Sequence, residues 1–179
     1  DCSDYDGTAG ITGDTIKIGT VRPASGPYAI YDTVTKGLEA LVTATNSKGG
    51  VKAGDGKTYK LELVKGDDGY DPARTPAEVE RLVDQEKVFA IVGEIGTSNN
   101  LAVRQTLNDK CIPSIGLATG STEWGKAKEY PWFIGGLPSY ATEAHHLMEW
   151  LKKEKPAAKI ALLYQDDDFG KAYQASIET

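Results

Sequence analysis

The chain has 179 residues, 40% of them hydrophobic, with a formal net charge of −6 and a pI near 5.0. That length holds one domain, or one and a fraction, with apolar residues enough for a sizeable core. The acidic balance argues against a nucleic-acid surface, which needs clustered Lys and Arg, and no run reaches the roughly 18 apolar residues of a membrane-spanning helix.

A polar tail, residues 1–13, opens the chain. It holds no apolar leader, so any export signal is expected to have been removed already. The first predicted strand, 16–21, runs into Arg22-Pro23-Ala24-Ser25-Gly26-Pro27. A helix over 30–46 follows, with Val34, Leu38, Leu41 and Val42 at helical spacing, and Gly49-Gly50 ends it. The second strand, 59–65, leads to Gly66-Asp67-Asp68-Gly69. Asp71-Pro72 reads as a cap and a first-turn proline for a helix that turns Val79, Leu82 and Val83 inward. The third strand, 88–92, closes on Gly93-Glu94-Ile95-Gly96-Thr97-Ser98, and a helix over 99–109 carries Leu101, Val103 and Leu107. The fourth, 113–117, closes on Ala118-Thr119-Gly120-Ser121. A short extended segment, 130–135, precedes a helix over 140–153 with Ala144, Leu147, Met148 and Leu151 inward, then a strand over 159–164 and a helix over 170–178.

Short apolar runs without strict alternation suit strands covered on both faces, and their alternation with helices predicts an α/β fold built on a doubly wound parallel sheet. In such a sheet the loops after the strands gather along one edge, where ligands bind. Residues 14–135 read as one complete lobe and Gly135-Gly136-Leu137-Pro138 as a hinge. Residues 136–179 read as the hinge or shared helix plus the first strand–helix unit of a second, similar lobe. A lone pair of that kind cannot bury its faces, so the chain is expected to be part of a longer protein.

Two cysteines, Cys2 and Cys111, are too few for a paired-cysteine zinc site. Cys2 has no apolar neighbours to bury it, and both fall at the sheet edge opposite the strand carboxyl ends, where they could meet. A disulfide there would stabilise by roughly 3–5 kcal/mol. A lipid-anchored Cys2 is the rival reading, and Asp1 in front of it argues against that.

Several motifs point nowhere. Gly54-Asp55-Gly56-Lys57-Thr58 lacks the earlier Gly of a phosphate loop and enters a strand rather than a helix, so it reads as a surface turn. No Gly-x-Gly-x-x-Gly follows the first strand, and no Gly-x-Ser-x-Gly elbow occurs. His145 and His146 are adjacent, about 100° apart on a helix, and do not chelate together. Asp166-Asp167-Asp168 lacks the alternating ligands of a calcium loop and reads as a helix cap. No nucleophile–base pair or metal constellation stands out, so no enzyme, metal or cofactor is expected. Thr97 and Ser98 precede a helix whose free N–H groups favour an anion; a plain N-cap is the alternative.

Taken in order, Asp14-Thr15-Ile16-Lys17-Ile18-Gly19, Ser25-Gly26-Pro27, Gly49-Gly50-Val51, Asp67-Asp68-Gly69-Tyr70-Asp71-Pro72, Gly93-x-x-Gly96-Thr97, Ile112-Pro113, Ala118-Thr119-Gly120-Ser121 and Gln165-Asp166-x-Asp168-Phe169-Gly170 form a set. It resembles the type I solute-binding proteins of bacterial ABC importers, the branched-chain amino-acid-binding family. The resemblance implies two doubly wound lobes that close on a small ligand, export to the periplasm or cell exterior, with or without attachment to the cell surface, and an ABC permease as partner. It implies that Gly96, Thr97 and Ser98 meet the ligand carboxylate, that Ala118, Thr119, Gly120 and Ser121 form a second binding loop, and that Tyr31 covers the ligand. Phe169 matches a second-lobe aromatic that is commonly Tyr. The acidic partner of a ligand ammonium falls outside this sequence. A ligand-sensing extracellular domain of a signalling receptor is the alternative with the same fold.

Overall fold

The computed structural model describes residues 2, 3 and 5–178. β1 (Ile11–Thr12) folds back antiparallel on β2 (Thr15–Arg22). α1 (Thr33–Ser47) leads to β3 (Val51–Lys52) and, through a surface turn in which Asp55 accepts from the Lys57 amide, to β4 (Thr58–Asp67). α2 (Thr75–Glu80), widened into a π-helical turn over Arg81–Gln85, precedes β5 (Ala90–Val92). Then come α3 (Thr97–Asp109), β6 (Ser114–Leu117), β7 (Phe133–Gly135), α4 (Tyr140–Glu154) and α5 (Asp168–Glu178).

The sheet runs β3-β4-β2-β5-β6-β7, with β4, β2, β5, β6 and β7 mutually parallel. From β2 the chain steps outward to β4, then returns past β2 to β5. Strand order therefore reverses between β2 and β5, and the loops leaving those two strands part to open a crevice. The doubly wound lobe expected from the apolar rhythm is the one observed.

The core lies between the sheet and α2 with α3. Leu82, Ile91, Leu107 and Leu117 are fully buried there with Val21, Val88 and Val103. Gly19 marks the closest approach of β2 to this layer, since a Cβ would come within 3.1–3.3 Å of Ile91, Leu82 and Val88. On the other face α1 lies along β4. Val42 is buried beneath it, but Val34 and Leu41, expected inward, are 48% and 62% exposed. One helix over one strand buries a narrow stripe, and Val34 turns to the crevice instead.

Local boundaries differ where turns intervene. α2 begins at Thr75, not behind Asp71: the Asp71 carbonyl accepts from the amides of Arg74 and Thr75, so residues 72–74 form a turn first. Residues 159–164, expected as a strand, form none. No described strand lies alongside to complete a ladder, and Leu163 is 99% exposed. α4 and α5 pack on each other, with Ala144 buried and Leu147 outward.

A disulfide joins Cys2 to Cys111, with Cα atoms 5.8 Å apart and 109 residues of separation. It ties the amino-terminal segment to the turn after α3. Tyr5 packs edge-on against Trp132 nearby, and Trp124 stacks on Phe133 inside the core.

Candidate ligand-binding cleft

The crevice at the switch point holds an open cavity of about 180 Å³. Its floor comes from the loops after β5 and β6, which run side by side. The Ala118 amide donates to the Glu94 carbonyl at 2.9 Å, the Ile95 amide donates to the Val21 carbonyl at 3.4 Å, and Ile95 bridges to Ala118. Gly96 turns the chain into α3 at φ +106°, and a Cβ there would lie 2.3 Å from Asn99 Oδ1, so only glycine fits. Among the described residues no side chain caps the start of α3. Its first-turn N–H groups lack intrahelical acceptors and the helix dipole adds to their pull, which makes this end of the crevice a place for negative charge.

The Thr97 and Thr119 hydroxyls are 2.7 Å apart and buried. Thr119 Oγ1 also faces three donors, Tyr140 OH at 3.3 Å, Trp124 Nε1 at 3.4 Å and the Ser121 amide at 3.4 Å. A hydroxyl has two acceptor lone pairs, so Thr119 is filled as an acceptor and its own proton turns to Thr97. The Thr97 proton is thereby left to donate to a ligand.

The walls are aromatic. Tyr31 rides on the 3₁₀ turn Ala29–Asp32, which a 2.7 Å ion pair between Arg22 and Asp32 anchors to the end of β2. Tyr70 sits at φ +68° and packs 4.7 Å from Tyr28 and 5.4 Å from Tyr31, ring centre to ring centre. On the other side Tyr140 packs 5.1 Å from Phe169 and 5.3 Å from Tyr173. Gln165 spans the cleft mouth, accepting from Tyr31 OH and donating to Tyr70 OH, each at 3.3 Å, and donating to the Asp167 carboxylate. Burial, with Asp167 adding to it, raises both phenols above their usual range, so they stay protonated donors.

Of the residues expected at a site, Tyr31, Gly96, Thr97, Ala118 and Phe169 meet at the cavity. Ser98 lies beside it and accepts from the Asp168 amide at 3.4 Å. Thr97 and Ser98, expected ahead of the helix, are its first two residues. Thr119 sits beneath Thr97 rather than on the lining. Gly120 is pressed against Pro138 and Tyr140, where a Cβ would meet the Pro138 carbonyl at 2.4 Å. Ser121 caps the 3₁₀ turn Thr122–Gly125 and faces a separate groove beside Trp124. Sequence reasoning missed Tyr70, Tyr140, Val34, Ile95 and Leu137 on the lining. Tyr70 had a signal, since the Asp-Asp-Gly-Tyr-Asp-Pro turn lies on the same sheet edge as the loop after β5. Glu94, fully buried in that loop, is pushed up to about 8 by burial and by the nearby Asp68, so it is neutral at pH 7. Among the described residues no group of three or more His, Cys, Asp or Glu is placed to hold a metal ion.

The family model described as Periplasmic binding protein matches residues 15–179. The chain belongs to that family. It is 30% identical over 177 residues to Leu/Ile/Val-binding protein homolog 7 of Brucella abortus, covering 92% of this chain and 42% of that one. A possible leucine/isoleucine/valine-binding protein from Rhodopirellula baltica has a similar structure, with TM-score 0.78 and 27% identity over 92% of this chain and 44% of that one. The branched-chain amino acid transporter substrate-binding protein LivJ of Streptococcus pneumoniae, solved with isoleucine, gives TM-score 0.75 and 29% identity over 92% and 46%. The chain thus spans less than half the length of these relatives. By their names, these relatives are binding proteins.

Proposed function

We propose that residues 14–135 form the amino-terminal lobe, and residues 136–179 the hinge and the start of the second lobe, of a periplasmic or extracellular solute-binding protein. It captures a small carboxylate-bearing solute, without transforming it, for an ABC importer permease. The observation that carries this reading is the uncapped start of α3 opening between aromatic walls at the switch point. A carboxylate there accepts two or three charge-assisted bonds worth about 1.5–3 kcal/mol each, and the dipole adds about 0.3–1 kcal/mol. Those terms approach the roughly −8 kcal/mol of micromolar binding when closure also buries apolar solute surface against Tyr31, Tyr70 and Phe169. The ligand is an amino acid first, with amides and aromatic acids as alternatives. The isoleucine held by the Streptococcus pneumoniae relative and the name of the Brucella abortus relative support that order.

The test is a thermal-shift screen of the native full-length protein against branched-chain and other amino acids, amides and aromatic acids. A solute at 100 times its Kd stabilises by about 2.7 kcal/mol, a shift of several degrees. At least one member of the panel gives such a shift; no shift with any of them contradicts the reading.

A further inference from the structure

Beneath the cavity floor lies a buried layer of polar side chains that do not line the cavity. Asp68, Thr75, Glu94, Asn99 and Asn100 are all 0% exposed. Asp68 is the joint of this layer. Its Oδ1 accepts from the Tyr70 amide at 2.9 Å, and its Oδ2 accepts from Thr75 Oγ1 at 2.7 Å and from Asn99 Nδ2 at 2.8 Å. Asn99 Nδ2 also donates to Thr75 Oγ1 at 3.0 Å, and Asn100 Nδ2 donates to the carbonyls of Gly96 at 2.8 Å and Glu94 at 3.2 Å. One carboxylate therefore gathers the loop after β4, the start of α2 and the start of α3.

A turn residue needs none of this. Asp71, three positions on, makes the same bond to an amide two residues ahead, at 2.9 Å, while exposed to solvent. Burying the Asp68 carboxylate carries a desolvation cost that its second oxygen, bound to Thr75 and Asn99, offsets. What those extra bonds fix is the spacing between Tyr70 on the wall and Gly96 and Thr97 on the floor. We infer that Asp68 is a positioning residue of the cleft, setting solute affinity through Tyr70 and Thr97 without touching the solute. That last step rests on the solute-binding reading; the positioning itself does not.

The test is hydrogen exchange of the native full-length protein without solute. Asp68→Asn keeps the shape and the bond to the Tyr70 amide, but turns Oδ2 into a donor facing the Asn99 donor, while the Thr75 hydroxyl turns to the Asp71 carbonyl. The Asn100 and Ala118 amides, which hold the floor, then exchange at least tenfold faster, while Ile91 and Ser114 stay within twofold. Adding Asn99→Asp returns an acceptor opposite the new donor, and the double variant comes back within threefold of the parent. Unchanged exchange at Asn100 and Ala118, uniform acceleration at all four amides, or a double variant that restores nothing would overturn the inference. If Asp68→Asn alone fails to fold, folding of the double variant supports the pairing, and failure of both counts against it. A protein that binds no solute at all would sink the solute-binding reading and leave these exchange results standing.

Discussion

Thr97 opens α3 and Thr119 lies in the loop after β6, yet their hydroxyl oxygens lie 2.7 Å apart, both residues buried. Since Thr119 already accepts from Tyr140 and Trp124, it supports the Thr97 hydroxyl by donating to it. Three variants separate the roles. Thr97→Ala weakens a carboxylate solute at least tenfold by calorimetry, whereas Thr97→Ser stays within a few-fold of the parent. Thr119→Val, which never meets the solute, still weakens it because Thr97 loses its donor. An unchanged affinity in Thr97→Ala would remove that hydroxyl from the site.

Gly96 holds φ +106° with no room for a Cβ beside Asn99 Oδ1 and Tyr70. Gly96→Ala therefore destabilises the lobe by about 1–3 kcal/mol through backbone strain alone, before steric relief is counted. Urea unfolding shows a lowered midpoint at constant slope. A midpoint equal to the parent's would mean that the turn relaxes freely.

Glu94 ionises near its ordinary 4.5 in the unfolded chain and near 8 in the fold, where burial and then Asp68 hold it neutral. Between those values the unfolded state binds fewer protons than the native one, so this group lowers stability as pH rises. The loss begins near pH 4.5, continues to about pH 8 and then levels off, at up to about 1.4 kcal/mol per pH unit. Glu94→Gln removes that slope. Urea unfolding at pH 5 and pH 8 shows the variant gaining on the parent at the higher pH; parallel profiles would contradict a neutral buried Glu94.

The Cys2–Cys111 disulfide closes a loop of 109 residues' separation around the first three parallel strands, β2, β4 and β5. In the chain-entropy account a loop near 100 residues contributes about 3–5 kcal/mol, chiefly by restricting the unfolded chain. Reduction with dithiothreitol lowers the urea midpoint accordingly, and so does Cys2→Ser without reductant. A midpoint that ignores both would mean that the tail adds nothing to stability.

The parallel lobe was legible in the residues because its strands are short apolar runs, each ending in Gly-, Ser- or Asp-rich loops, and that pattern belongs to strands covered on both faces. The site's edge followed from the same rule; Thr97 was named from its place at a helix start and from the family resemblance, and Ala118 from that resemblance alone. Tyr70 lay on a loop at that edge, but its place on the lining, like that of Tyr140, depends on how a turn at φ +68° and a helix start are packed, which periodicity does not encode. Thr119 and Gly120 were misplaced for the same reason: a loop on the correct edge still points some residues into the floor. The expected strand over 159–164 shows the opposite limit. An apolar run states a tendency, and a strand exists only where a neighbour completes its ladder.

The most direct measurement is calorimetric titration of the native full-length protein with L-leucine, L-isoleucine, L-phenylalanine and 4-hydroxybenzoate, each against its methyl ester. If the amides at the start of α3 hold a negative charge, at least one acid binds and its ester binds at least tenfold more weakly. Equal affinity for acid and ester would show that the carboxylate is not what the cleft recognises.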